Sequence, residues 1–159
     1  MRRIIYPGTF DPIHNGHINI AIRASKLFDE LVFVVAENSE KTPLFSAAKR
    51  VKMIEECTNN YKNIRAVQYS GLIIEFAKEC DAIAVIRGLR QVSDFEFEFQ
   101  MAMMNYHLHP ELTSLFMMPD EKYIHLNSTV VKDVAKHNGD ISSYVPENVK
   151  KYLLSKNFN

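Results

Sequence analysis

The stretch YPGTFDPIHNGH, residues 6–17, packs two prolines, two glycines and two histidines into twelve positions. His14 and His17 stand three apart, so at the start of a helix they meet on one face of the first turn. Asn15 reads as the N-cap of that helix. Free N–H groups at such a start, together with the positive end of the helix dipole, favour a phosphate. Gly16 lacks a side chain and would let a flat nucleotide lie against the backbone. Zinc is the competing chemistry for two histidines at this spacing, but no third ligand stands near them and no cysteine is suitably placed. Phosphate is the better reading.

The elements that must position these residues can be read from the alternation of apolar runs and helix-period segments. Strands are expected at 3–6, 31–36, 64–69, 82–86 and 114–118. Helices are expected after the opening stretch, from Ser46 to about Cys57, at 72–79, from near Ser93 to before Pro110, near 128–137 and near 146–155. LVFVVA (31–36) is continuous and not alternating, as a strand covered on both faces should be. The pattern implies an α/β doubly wound domain with a five-stranded parallel sheet. In such sheets ligands bind beyond the carboxyl ends of the strands. The opening stretch, the polar loop ENSEKTP, RGLR at 87–90 and NST at 127–129 each follow a strand. All four can share one edge.

With 159 residues, 47% hydrophobic and 24% charged, a single domain over 1–159 can bury its core without metal or disulfide staples. Nineteen basic residues balance nineteen acidic ones, which gives no reason to expect a nucleic-acid or membrane partner. Cys57 and Cys80 form no CxxC and read as free thiols of a reducing cytosol. The apolar run after the basic start ends at Pro7, short of the roughly 7–15 residues of a secretory signal. A cytoplasmic protein is expected.

The opening stretch resembles the H/T-x-G-H signature of the nucleotidylyltransferases, in the form found in the bacterial phosphopantetheine adenylyltransferase family. VIRGLR (85–90) followed by DFEFEFQMAMMN resembles that family's IRGLR…DFEYE block. HPELTSLFMMP, STVVK and PENV extend the similarity along nearly the whole chain in the same order. The resemblance implies a Rossmann-like nucleotidylyltransferase fold. It also implies adenylyl transfer from ATP to 4′-phosphopantetheine, giving dephospho-CoA and pyrophosphate. Dephospho-CoA or CoA would be product or feedback ligand. Mg²⁺ would come with ATP, held by its phosphates and water with no protein metal ligand. The family's assembly implies a homohexamer built from two trimers.

The resemblance also implies roles for single residues. His17 would donate to the α-phosphate in the transition state, with His14 as its helper. Thr9 and the backbone of Phe10 would orient the acceptor phosphate and ATP. Lys41 would reach the phosphates, and Arg87 and Arg90 would grip them from either side of Gly88 and Leu89. Ile73 would line the pantetheine channel. Glu98, Asn127, Ser128 and Thr129 would contact ATP. The acceptor phosphate is already ionised at neutral pH, so no general base is required, and catalysis reduces to positioning and charge stabilisation.

Some residues depart from the family pattern. Asn127 replaces the first serine of its ISSS/T motif, Phe97 a common tyrosine, and Lys49 the acid that would complete a capping box with Ser46. Met101, Met103 and Met104 read chiefly as core, with subunit contact as the alternative. A sister enzyme acting on nicotinamide mononucleotide would normally end the last motif in arginine where this chain has Lys132. A non-catalytic nucleotide sensor would have no reason to retain His17, Lys41, Arg87 and Arg90 together.

Overall fold

The computed structural model describes residues 1–37 and 42–156. Five parallel strands, β1 (Arg3–Gly8), β2 (Glu30–Ala36), β3 (Ile64–Tyr69), β4 (Ala82–Gly88) and β5 (Thr113–Met117), lie in the order β3-β2-β1-β4-β5. The helices are α1 (Asn15–Ser25), α2 (Ala47–Thr58), α3 (Ile73–Glu79), α4 (Val92–Leu108), α5 (Ser128–Lys136) and α6 (Glu147–Leu154). This is the doubly wound sheet expected from the alternation. The boundaries agree to within one or two residues, and a 3₁₀ turn at Glu121–Tyr123 was not foreseen.

Alternation along the strands divides the core. Ile4, Tyr6, Leu31, Phe33 and Val35 face a larger cluster that includes α1, α2, α5 and α6, while Ile5, Val32, Val34 and Val85 face a smaller one with α3. Both faces of β2 are therefore buried, which is why its sequence shows no polar alternation.

The order reverses at β1, and there the sheet parts. β1 pairs with β2 from Arg3 to Gly8 but with β4 only from Arg3 to Ile5. β4 meanwhile pairs with β5 as far as Gly88. The strand expected at 3–6 runs on through Pro7 and Gly8. A proline is tolerated there because β1 no longer has a partner on its β4 side. The divergence of β1 from β4 opens a crevice at the carboxyl edge.

Candidate active site

A cavity of about 310 Å³ occupies that crevice. β1 and the turn after it contribute Tyr6, Pro7, Gly8, Thr9 and Phe10. His14, Gly16 and His17 come from the start of α1, Arg87, Gly88 and Arg90 from the end of β4, and Glu98 from α4. Asn127, Ser128 and Thr129 close the far side at the start of α5. Almost every residue singled out in the sequence thus lines one space. Leu89 does not; its N–H donates to the Met117 carbonyl at 2.9 Å. Ile73 opens α3 and packs against the smaller core cluster, outside the cavity lining. Lys41 lies outside the described residues.

The two histidines cap α1 with each other. His14, not Asn15, is the N-cap; its Nδ1 accepts from the Gly16 N–H at 3.1 Å, and its own N–H donates to His17 Nδ1 at 3.3 Å. The rings stack with centroids 3.6 Å apart. The Asn15 N–H goes to the Tyr144 carbonyl at 2.9 Å. The amides of His14, Asn15 and Gly16 at this helix start are therefore already bonded within the protein. Gly16 is needed for the His14 ring, which a Cβ would approach to 3.0 Å.

What the helix start offers a phosphate is imidazole instead. With Nδ1 accepting, the proton of neutral His17 must sit on Nε2, which makes that atom a donor. Burial, the neighbouring His14 and Arg90 hold the His17 pKa well below its ordinary value. Burial and Arg90 bring His14 down to about 3. Both rings are neutral at pH 7.

Phe10 adopts a left-handed backbone, φ 50°. A bulky residue accepts that strain only where packing dictates it. Its ring is buried edge-on against Tyr6, Phe33 and His17, with centroids 5.0–5.4 Å away. Gly8 leaves room for this ring, since a Cβ there would stand 2.8 Å from Phe10 Cζ. The turn thereby presents Thr9 to the cavity.

Both arginines are ion-paired. Arg90 Nε lies 3.3 Å from Asp94, and its Nη1 donates to the Leu126 carbonyl at 3.1 Å, which ties the end of β4 to the residue before Asn127. Arg87 Nε stands 3.2 Å from Glu98 Oε2, yet both atoms are buried and neither makes a directed hydrogen bond. The distance makes this an ion pair and the angle leaves it unsatisfied. Burial raises the Glu98 pKa, with Arg87 opposing and Asp94 reinforcing the shift.

Asn127 caps α5, accepting from the Val130 N–H at 2.8 Å, so the serine it replaces is not missed as a cap. Ser128 donates its hydroxyl to the Pro12 carbonyl at 2.8 Å. The N–H groups of Ser128 and Thr129 have no intrahelical partner in the first turn. Sequence reading missed Tyr6, Ile20, Pro119 and Tyr123 as lining residues, because in a strand, a helix and a loop they look like ordinary packing.

A family model described as cytidylyltransferase-like matches residues 5–134, which hold the histidine turn, the end of β4 and the start of α5. The chain belongs to the cytidylyltransferase-like family. Among the family's relatives, it is similar to the phosphopantetheine adenylyltransferase of Opitutus terrae, with 50% identity over 94% of this chain and 93% of that one. Its fold is similar to a solved structure described as a nicotinate-nucleotide adenylyltransferase from Vibrio parahaemolyticus. That match has a TM-score of 0.72 at 18% identity and covers 97% of this chain and 93% of the other. At that identity the likeness speaks for the family's architecture alone.

Proposed function

We propose that the protein transfers the adenylyl group of ATP to 4′-phosphopantetheine, reversibly, giving dephospho-CoA and pyrophosphate. The observation that carries this is the facing of the histidine turn and the RGLR strand end across the parted strands. It occurs in a chain half identical, over nearly its full length, to a phosphopantetheine adenylyltransferase.

An oxygen of the acceptor phosphate attacks the α-phosphorus, and the bond from that phosphorus to the bridging oxygen breaks as pyrophosphate leaves. His17 Nε2–H donates to an α-phosphate oxygen, where charge builds in the transition state. The His14 N–H keeps the opposite nitrogen of His17 occupied and so fixes the tautomer. Thr9 and the Phe10 backbone orient the acceptor phosphate, and Arg87 exchanges its undirected contact with Glu98 for that phosphate. Arg90, Gly88, Asn127, Ser128 and Thr129 hold ATP, with Glu98 near it. By the resemblance, Lys41 would contact the phosphates and Ile73 would border the pantetheine arm outside the cavity.

The cavity's donors are guanidiniums, hydroxyls, amides and neutral imidazoles, a set suited to phosphate oxygens, and Glu98 is its lining carboxylate. Mg²⁺ fits as the companion of ATP, held by phosphates and water, where it would neutralise the departing pyrophosphate.

Dephospho-CoA or CoA is the product-side ligand. Among the described residues no helix is long and apolar enough to cross a membrane. The cytoplasm is the compartment this reading implies. The hexameric reading draws on α4, where Phe97, Met103, Met104 and Tyr106 are all more than half exposed. Pyrophosphate release with ATP and Mg²⁺ tests the reaction, with phosphopantetheine and nicotinamide mononucleotide offered in parallel. Preference for the mononucleotide would overturn the acceptor assignment.

A further inference from the structure

Behind the Thr9–Phe10 turn lies a set of buried charges with no role in the chemistry above. Asp11 is 3% exposed. Its Oδ1 accepts from the Phe45 N–H at 2.9 Å. Its Oδ2 accepts from the Leu44 N–H at 2.8 Å and from Lys132 Nζ at 3.0 Å. Lys132 belongs to α5, one turn beyond Ser128 and Thr129. Arg50, also buried, backs the same turn: its Nη1 donates to the Thr9 carbonyl at 2.6 Å and its Nε to the Phe45 carbonyl at 3.0 Å.

We infer that Asp11 and Lys132 are a positioning pair that sets the separation between the Thr9–Phe10 turn and the Ser128–Thr129 helix start. This inference rests on the adenylyl-transfer reading, in which the first wall orients the acceptor and the second holds ATP. Asp11 follows Phe10 directly, so wherever its carboxylate is held, the turn is held. Lys132 shares a rigid helix with the two hydroxyl residues. The pair therefore joins two cavity walls that lie 121 residues apart in the chain, and the Ser128 bond to Pro12 is a second tie beside it. A carboxylate removed from water, with three donors on two oxygens, has one satisfied arrangement, which gives the link its rigidity. In-line attack needs that rigidity, since a displacement of about 1 Å can cost on the order of 10² in rate.

Lys132 is partly exposed and can be truncated without opening a core cavity. Lys132→Met should lower the single-turnover rate at saturating substrates by about 10–100-fold, with ATP affinity by calorimetry nearly unchanged. Lys132→Arg should recover most of that rate. Asp11→Asn should be at least as slow as Lys132→Met, since its amide also gives up one of the two backbone N–H bonds from Leu44 and Phe45, and the double variant should be no slower than the slower single one, because the Asp11–Lys132 link is lost in both. A wild-type rate in Lys132→Met would overturn the inference. So would a preserved rate with weakened ATP binding, which would make Lys132 a phosphate ligand, or rate losses that add in the double variant. Wild-type turnover is the control for the underlying reading. Its absence would sink the adenylyl-transfer assignment, whereas its presence beside an undiminished variant would sink only the pair.

Discussion

His17 owes its donor nitrogen to a backbone amide, and its neutrality to burial beside a second imidazole. If its hydrogen bond strengthens as charge moves onto the α-phosphate, His17→Ala should cost about 10²–10³ in kcat and little ATP affinity. Single-turnover rates and calorimetry separate the two; lost affinity with a preserved rate would make His17 a binding residue only. Arg90 can be sorted in the same way. Arg90→Lys keeps the charge but loses the fork that spans Asp94 and the Leu126 carbonyl, so it should retain more ATP use than Arg90→Ala but less than wild type. The histidines also predict a stability profile. Their folded pKa values lie below the unfolded value near 6.5, so above that pH both states are neutral and the stability is fully present. Below it the unfolded chain binds protons that the fold refuses. Each histidine then lowers stability by about 1.4 kcal/mol per pH unit, for His14 until its folded pKa near 3. Urea melts at pH 7.5 and 5.5 should show the loss shrinking by about 1.4 kcal/mol in His14→Gln.

At the scale of elements, caps decide where the site residues point. Asn127→Ala should cost about 1 kcal/mol of stability in a denaturant melt and raise the KM for ATP, because the cap fixes the first turn that carries Ser128 and Thr129. The strands and helices were legible because their apolar periods are strong, and the edge shared by the opening stretch, the end of β4 and the start of α5 followed from the parallel order alone. The caps were less legible. Asn15 is a better intrinsic cap than histidine, but here the second histidine returns a bond to the first, and a reciprocal pair outweighs propensity. Asp11 and Arg50 gave no signal, since one sits beside a proline and the other on a helix. Only folding brings their partners, at Leu44, Phe45, Thr9 and Lys132, within reach. Lys49 is not an impaired capping-box residue; its ammonium lies 3.6 Å from the centroid of the Tyr152 ring while Ser46 caps α2 alone.

For the whole molecule, α4 is the element whose sequence and surroundings disagree most. Met103 and Met104 were read chiefly as core, yet each is more than half exposed, in company with Phe97 and Tyr106. Periodicity misled there because apolar residues occur on every side of the helix, which leaves no polar face to mark the outside. Under the hexameric reading, Phe97→Glu with Met104→Glu should shift the sedimenting species to smaller assemblies while far-UV circular dichroism stays unchanged. Unaltered sedimentation would remove α4 from the interface. The parting of β1 from β4 has a mechanical consequence as well. The sheet is in effect two plates, β3-β2-β1 and β4-β5, stitched by three registered residues at one end and gaping at the other. A ligand gripped by Thr9 on one plate and Arg87 on the other would act as a rivet across the gap. Its binding should slow amide exchange along β4 and β5 as well as in the residues that touch it.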